Sequence, residues 1–213
     1  MSTSVPYFDL FQLGSDAGWK KVGSEMVFNN PHIGVESARY LTPSRTEKPQ
    51  PWYVVHRKAA VAIAPVLEDG RFVLIAQERL PVQKTCWEFP AGQIDVVLDT
   101  GGPGGVERVQ RQIVETALRE LREECGCELH PEHGAMEPLG YFFPSQGFTD
   151  EHVYMFKAEP VCVVSRPEPD GSEHISDVRL VSAGELRRMI ADNEITTALT
   201  LALYARMAAM GLV

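Results

Sequence analysis

Between Gln112 and Gly126 the chain reads Gln-Ile-Val-Glu-Thr-Ala-Leu-Arg-Glu-Leu-Arg-Glu-Glu-Cys-Gly, and this stretch limits what can be built around it. Ile113, Val114, Ala117, Leu118, Leu121 and Cys125 recur at helical spacing and form one apolar stripe. Gly126 follows the last periodic residue, where a left-handed cap ends a helix. Glu120, Glu123 and Glu124 therefore fall in the last two turns, at positions i, i+3 and i+4 on one side. Mutual repulsion and the negative end of the helix dipole both disfavour carboxylates there, so a positive partner is required. Glu120 and Glu124 fall at the edge of the apolar stripe, which puts them at the core boundary, where a cleft can form. Hard oxygen donors clustered this way suit Mg²⁺ or Mn²⁺, which take few carboxylates and leave positions for phosphate oxygens and water. The competing reading is a solvated acidic face paired with Arg119 and Arg122.

The surrounding chain bounds the partners. With 213 residues, 44% of them hydrophobic, it is long enough for one domain with a substantial core. Its longest apolar runs, such as 59–64, are too short to span a bilayer, and its N-terminus lacks the charged and apolar order of a secretory signal. A cytoplasmic location without a membrane partner is expected. The formal charge of −9 opposes nucleic-acid binding, which needs clustered Lys and Arg. A small anionic substrate remains compatible, because a bound metal supplies positive charge locally. Cys86, Cys125, Cys127 and Cys162 form no CxxC pair and read as packed free thiols.

In chain order, residues 1–18 are weakly patterned and are expected to be a poorly ordered lead-in. Residues 19–57 read as a β arm: extended segments at 20–28 and 33–40, a polar proline-containing loop at 40–51, and a third extended segment at 52–56. The remainder, 58–213, reads as the main domain. It opens with a hairpin of apolar strands, 60–67 and 72–77, joined through Asp69-Gly70. A turn-rich loop at 140–151 precedes a strand at 152–158, and a polar segment at 166–174 precedes another at 178–181. Helices at 183–192 and 196–210 close the chain.

Arg119-Glu120-Leu121-x-Glu123-Glu124-x-Gly126 resembles the second half of the Nudix box, the signature of Mg²⁺-dependent hydrolases of nucleoside diphosphates linked to another group. Trp87-Glu88-Phe89-Pro90-Ala91-Gly92-Gln93-Ile94-Asp95 is similar to the opening of that box. Between the two lies a glycine-rich insertion, 96–110, containing Gly101-Gly102-Pro103-Gly104-Gly105. At the spacing where the family carries a first glutamate stands Arg111, with Gly105 at the glycine's place. The three later acids are unaffected. The arm from Lys20 to His56 and the loop Gly140–Glu151 resemble those of ADP-ribose and nucleotide-sugar pyrophosphatases.

That resemblance implies an α+β fold, a Nudix α/β/α sandwich with a mixed central sheet preceded by an antiparallel β arm. It implies a homodimer, since the arm commonly crosses to a second subunit; an arm folded on its own subunit is the alternative. Mg²⁺ or Mn²⁺ would sit on Glu120, Glu123, Glu124 and the carbonyl of Ala91, with Arg119 orienting carboxylates. Arg79 matches the family's arginine near the diphosphate, and an ion pair with Glu78 or Glu88 is its other reading. Glu88, Pro144, Ser145 and Gly147 are further candidate substrate contacts, with Phe28 as an aromatic in the arm. Glu173 is the candidate for activating water, and Glu151 the second. The expected activity is hydrolysis of the diphosphate bond of a nucleoside diphosphate derivative, above all ADP-ribose, to AMP and ribose 5-phosphate. Nucleotide sugars such as ADP-glucose or GDP-mannose are the alternative substrates. A Nudix-fold sensor with impaired catalysis is the other class, motivated by Arg111 and the insertion.

Overall fold

Ala60–Leu67 is apolar at every position, a pattern that suits a strand covered on both faces. The computed structural model, which describes residues 5–14, 18–168 and 174–213, places this strand at the centre of a sheet. Its elements run β1 (Lys20–Asn29), β2 (Gly34–Thr42), β3 (Arg45–His56), β4 (Ala60–Leu67), β5 (Phe72–Arg79), a 3-10 turn (Leu80–Val82), β6 (Lys84–Glu88) and β7 (Ala91–Gln93). Then follow α1 (Gly105–Cys125), β8 (Cys127–Leu129), β9 (Ala135–Phe142), β10 (Val153–Val163), β11 (Ile175–Val181), α2 (Ala183–Ala191) and α3 (Ala198–Ala209).

The larger sheet has the order β11-β5-β4-β10-β8, with β6 on β5, β7 on β4 and β9 on β10. Only β4 and β10 pair in parallel, so the sheet is mixed. Side-chain alternation along β4 splits the interior into two cores. Val61 and Ile63, with Val73, Ile75, Tyr154 and Phe156, pack against Val109, Ile113, Ala117 and Leu121 of α1. Ala60, Ala62, Ala64 and Val66, with Leu74 and Met155, pack against Leu186 and Met189 of α2 and Leu203 and Met207 of α3. The result is the expected α/β/α sandwich, preceded by the three-stranded antiparallel arm β1-β2-β3.

Three expectations are corrected. Residues 45–51 are not a loop but the first half of β3, paired with β2. Pro49 and Pro51 are compatible with that because β3 is an edge. Val55, two positions on from Tyr53 and four from Pro51, directs its N–H away from β2 to the carbonyl of Phe148 at 2.7 Å, so Pro51 lacks only an outward donor. The insertion is shorter as a loop than the sequence implied, since 105–110 form the first turns of α1. The lead-in is also not loose throughout. Phe8 is 7% exposed, its ring edge-on to Phe156 and Tyr154 at 5.4 and 5.8 Å, and Gln110 Nε2 donates to its carbonyl. Among the described residues no helix is long and apolar enough to cross a membrane.

Phe8→Ala should lower the unfolding free energy by about 2–4 kcal/mol in a denaturant titration, through lost burial and the cavity left behind. A segment not anchored to the core would leave stability within about 0.5 kcal/mol.

Candidate active site

Where α1 ends, its acidic turns meet the β6–β7 corner. Gly126 adopts the left-handed cap that the sequence predicts, its N–H bonded to the carbonyl of Arg122. Glu124 is fully buried, and its Oε2 accepts the N–H of Ala91 at 2.7 Å. Gly92 beside it has a steric reason to be glycine. A Cβ there would lie 2.6 Å from Glu120 Oε2 and overlap the rest of that carboxyl group, so the missing side chain is the seat of Glu120. Arg119 forks over two acids, Nη2 to Glu120 Oε1 and Nη1 to Glu123 Oε2 at 2.6 Å. It orients carboxylates, as its position in the helix implied.

This arrangement amends the expected convergence of three acids. Glu120 and Glu123 meet at Arg119 on the wall of a cavity, whereas Glu124 is turned inward to the backbone. Among the described residues no three His, Cys, Asp or Glu side chains gather in the manner of a metal cage. Ala91 presents its N–H to the acidic cluster, through Glu124. The donor set still fits a hard divalent cation. Two carboxylates share the cavity wall, one of them in a seat cut for it, and the charge that now bridges them is a single guanidinium.

The cavity measures about 830 Å³ and gathers Arg79, Glu88, Ala91, Arg119, Glu120, Glu123, Pro144 and Glu151 from the sequence candidates. The ion-pair reading of Arg79 holds with Glu88: its Nε pairs with that buried carboxylate at 2.7 Å, and both residues line the cavity. Ser145 and Gly147 do not line it. The carbonyl of Ser145 instead accepts the N–H groups of Phe148 and Thr149, which shapes the turn. Phe28 is half-exposed on β1 and also lies off the cavity, where the same hairpin contributes Pro31 and His32. Glu173 falls outside the described residues.

Sequence reasoning missed Arg57, Lys58 and Lys84, all on the cavity wall. Arg57 and Lys58 follow the end of β3 as Arg79 ends β5, and loops after strands carry ligand contacts, so a signal was present. Lys84 sits in a polar run that reads like any surface. Arg57 pairs with Glu151 at 3.4 Å and Lys58 with Asp95 at 2.7 Å. Among the described residues Lys84 makes no ion pair. A chain of net charge −9 thus concentrates five basic side chains around one hollow.

Glu151 is a carboxylate of this wall whose proton affinity is raised. Burial pushes its carboxyl up from the ordinary glutamate range, Arg57 pulls it back, and the negative charge of Asp150 adds to the rise. Its side chain remains 15% exposed. The group is therefore desolvated enough to hold a proton more tightly than a surface glutamate, yet reachable from the cavity.

The NUDIX domain family matches residues 56–200. The ADP-ribose pyrophosphatase of Bacillus subtilis is 26% identical over 181 residues, which cover 85% of this chain and 88% of that protein. The ADP-ribose pyrophosphatase of Mycobacterium tuberculosis is 30% identical over 149 residues, 70% of this chain and 64% of that one. A crystal structure of an ADP compounds hydrolase superposes with a TM-score of 0.69 at 17% identity, over 92% of this chain and 97% of the other, and supports the fold.

Gly92→Ala should cost about 1–3 kcal/mol in urea unfolding by forcing the Glu120 carboxylate from its seat. In a Glu120→Ala background the same substitution should cost at least about 1 kcal/mol less, because the colliding group is gone. Additive effects would show that the two residues do not share that space.

Proposed function

The chain belongs to the Nudix family and is a pyrophosphatase-type hydrolase of a nucleoside diphosphate derivative; from that premise we propose that it hydrolyses ADP-ribose, with Mg²⁺ or Mn²⁺, to AMP and ribose 5-phosphate. The observation that carries the reading is the single cavity in which Glu120 and Glu123 stand on the same wall system as Arg79, Lys84 and Glu151. The two ADP-ribose pyrophosphatases among its relatives support the choice of substrate.

Nudix hydrolases generally use divalent metal ions, and such an ion, when bound, neutralises diphosphate oxygens and helps to orient water. Glu120 and Glu123 would hold it, with the carbonyl of Ala91 and Glu124, itself fixed by the N–H of Ala91, as the further oxygen donors. Arg79 binds the diphosphate through its guanidinium, and Glu88 fixes the direction in which that fork points. Lys84 adds an uncommitted positive charge. Glu151 takes a proton from water as the water oxygen bonds to phosphorus and the bridging P–O bond breaks. One monophosphate gains the water oxygen and the other leaves with the bridging oxygen.

A homodimer belongs to the same proposal. Phe28 lies opposite Val35, and Tyr53 opposite Ser37, so both aromatic rings project from one face of the arm sheet, and both are at least half-exposed. An apolar face of this kind fits a symmetric contact with a second copy. Sedimentation should give about twice the 23.7 kDa chain mass, and Phe28→Lys with Tyr53→Lys should return the monomer.

With Mg²⁺ and a panel of ADP-ribose, ADP-glucose and GDP-mannose, ADP-ribose should give the highest kcat/KM, read as released monophosphate. Glu120→Gln should cut kcat at least about 100-fold, near 2.7 kcal/mol of barrier; a loss under about tenfold removes it from the ligand set. Only the ionised form of Glu151 accepts a proton. Because its pKa is raised, kcat should fall on acidification at a higher pH than an ordinary glutamate gives, staying full above that limb. Glu151→Gln should lower kcat and abolish the limb, whereas an unchanged limb assigns the base elsewhere.

A further inference from the structure

The loop that carries Glu151 is hydrogen-bonded to the end of the arm. Residues 148–150 run beside the end of β3: the N–H of Val55 donates to Phe148 O at 2.7 Å, that of Asp150 returns to Val55 O at 3.3 Å, and Val55 bridges Thr149 in parallel. Asp150 then uses both carboxylate oxygens on β3 and the residue after it. Oδ1 accepts the N–H of Arg57 at 3.0 Å, and Oδ2 accepts from His56 Nδ1 at 2.6 Å. A carboxylate has no proton to give, so the imidazole nitrogen is the donor. The other ring nitrogen of His56 faces Glu36 of β2 at 3.4 Å, and Glu36 in turn holds Lys21 of β1 at 2.8 Å.

The next residue, Glu151, faces the cavity, its Oε1 3.4 Å from Arg57 Nε. Arg57 is therefore gripped twice, by its backbone through Asp150 and by its side chain through Glu151. We propose that Asp150 and His56 are positioning residues: the His56–Asp150–Arg57 clasp ties the loop to β3 and holds the Glu151 carboxylate at the cavity wall. Neither residue touches substrate in this scheme. The charged and titratable groups around the clasp are Glu36, Lys21, Arg57 and Glu151, together with His152, whose Nδ1 lies 3.4 Å from the carbonyl of Asp150. General-base catalysis needs its carboxylate within hydrogen-bond reach of water, and a displacement near 1 Å can cost on the order of 100-fold in rate. This inference rests on Glu151 as the base.

The experiment measures kcat and KM, on the best substrate of the panel with Mg²⁺, for Asp150→Ala, Asp150→Asn and Glu151→Gln, each checked for folding by thermal melting. Asparagine keeps an acceptor for Arg57 and a polar group for His56, whereas alanine keeps neither. Expected is a kcat loss of at least tenfold in Asp150→Ala with KM within threefold of the parent, and recovery to within threefold of the parent kcat in Asp150→Asn. A role confined to stability would lower the melting temperature and leave kcat of the folded enzyme in place, and that result overturns the proposal. So does an asparagine variant as slow as the alanine one. Loss in Glu151→Gln with none in Asp150→Ala rejects the clasp while sparing the base; full activity in Glu151→Gln rejects the base and the clasp with it. Should Asp150→Ala fail to fold, His56→Gln, which leaves the Asp150–Arg57 bond in place, decides the matter: kcat down at least threefold supports the clasp and an unchanged kcat overturns it.

Discussion

The site depends on one act of packing, the burial of the last turns of α1 against the corner that joins β6 to β7. Burying carboxylates costs several kcal/mol unless they are paired or hydrogen-bonded. Each of the two buried acids meets that requirement differently. Glu124 is held by the backbone of Ala91, and Glu120 enters the space that Gly92 leaves free and is gripped by Arg119. The helix dipole opposes both, so the geometry persists only because the apolar stripe of α1 is anchored in the core. Site and fold are coupled at this corner: the residues that pack the helix also set Glu120 and Glu123 on the cavity wall.

How much of this was legible follows from which interactions are local. The helix, its glycine cap and the stripe with acids at its edge are periodic features of a continuous stretch, and they read correctly. The β4–β5 hairpin was equally plain from its apolar runs and Asp69-Gly70. What the residues around 45–51 become depends instead on β2, which supplies the hydrogen bonds, and their prolines disguised an edge strand as a loop. Phe8 was illegible for a related reason: its partners Tyr154 and Phe156 lie almost 150 positions away, and nothing near it signals burial.

The candidate site divides along the same line. Glu120, Glu123 and Arg119 came from one helix, Arg79 from its place past a strand end together with the resemblance, and Glu88 from the resemblance and its possible ion pair with Arg79. The inward turn of Glu124 was not readable, since helical spacing fixes where a side chain starts and a neighbouring N–H decides where its oxygens finish. The resemblance of the loop likewise put Ser145 and Gly147 with Pro144 as candidate contacts, although the turn spends the carbonyl of Ser145 on its own backbone. Arg57 and Lys58 reach the cavity because β3 crosses from the arm to the main domain there, a fact of topology.

Arg111, standing where the resemblance led one to expect a glutamate, has a structural account. It is exposed on α1, nine residues before Glu120, which is roughly 14 Å along the axis at 1.5 Å per residue. It lies outside the cavity lining. The segment before it is folded onto the helix start: Gly105 packs so closely on Thr100 that a Cβ would overlap its carbonyl, and Arg108 Nη2 donates to the carbonyl of Asp99 at 2.8 Å. The insertion thus lengthens and braces the end of α1 remote from the acids. An alteration at that end leaves the seat of Glu120 and the grip of Arg119 as they are, because both are set by contacts within the last two turns and by Gly92. The missing first acid is therefore no argument against catalysis at the other end of the helix.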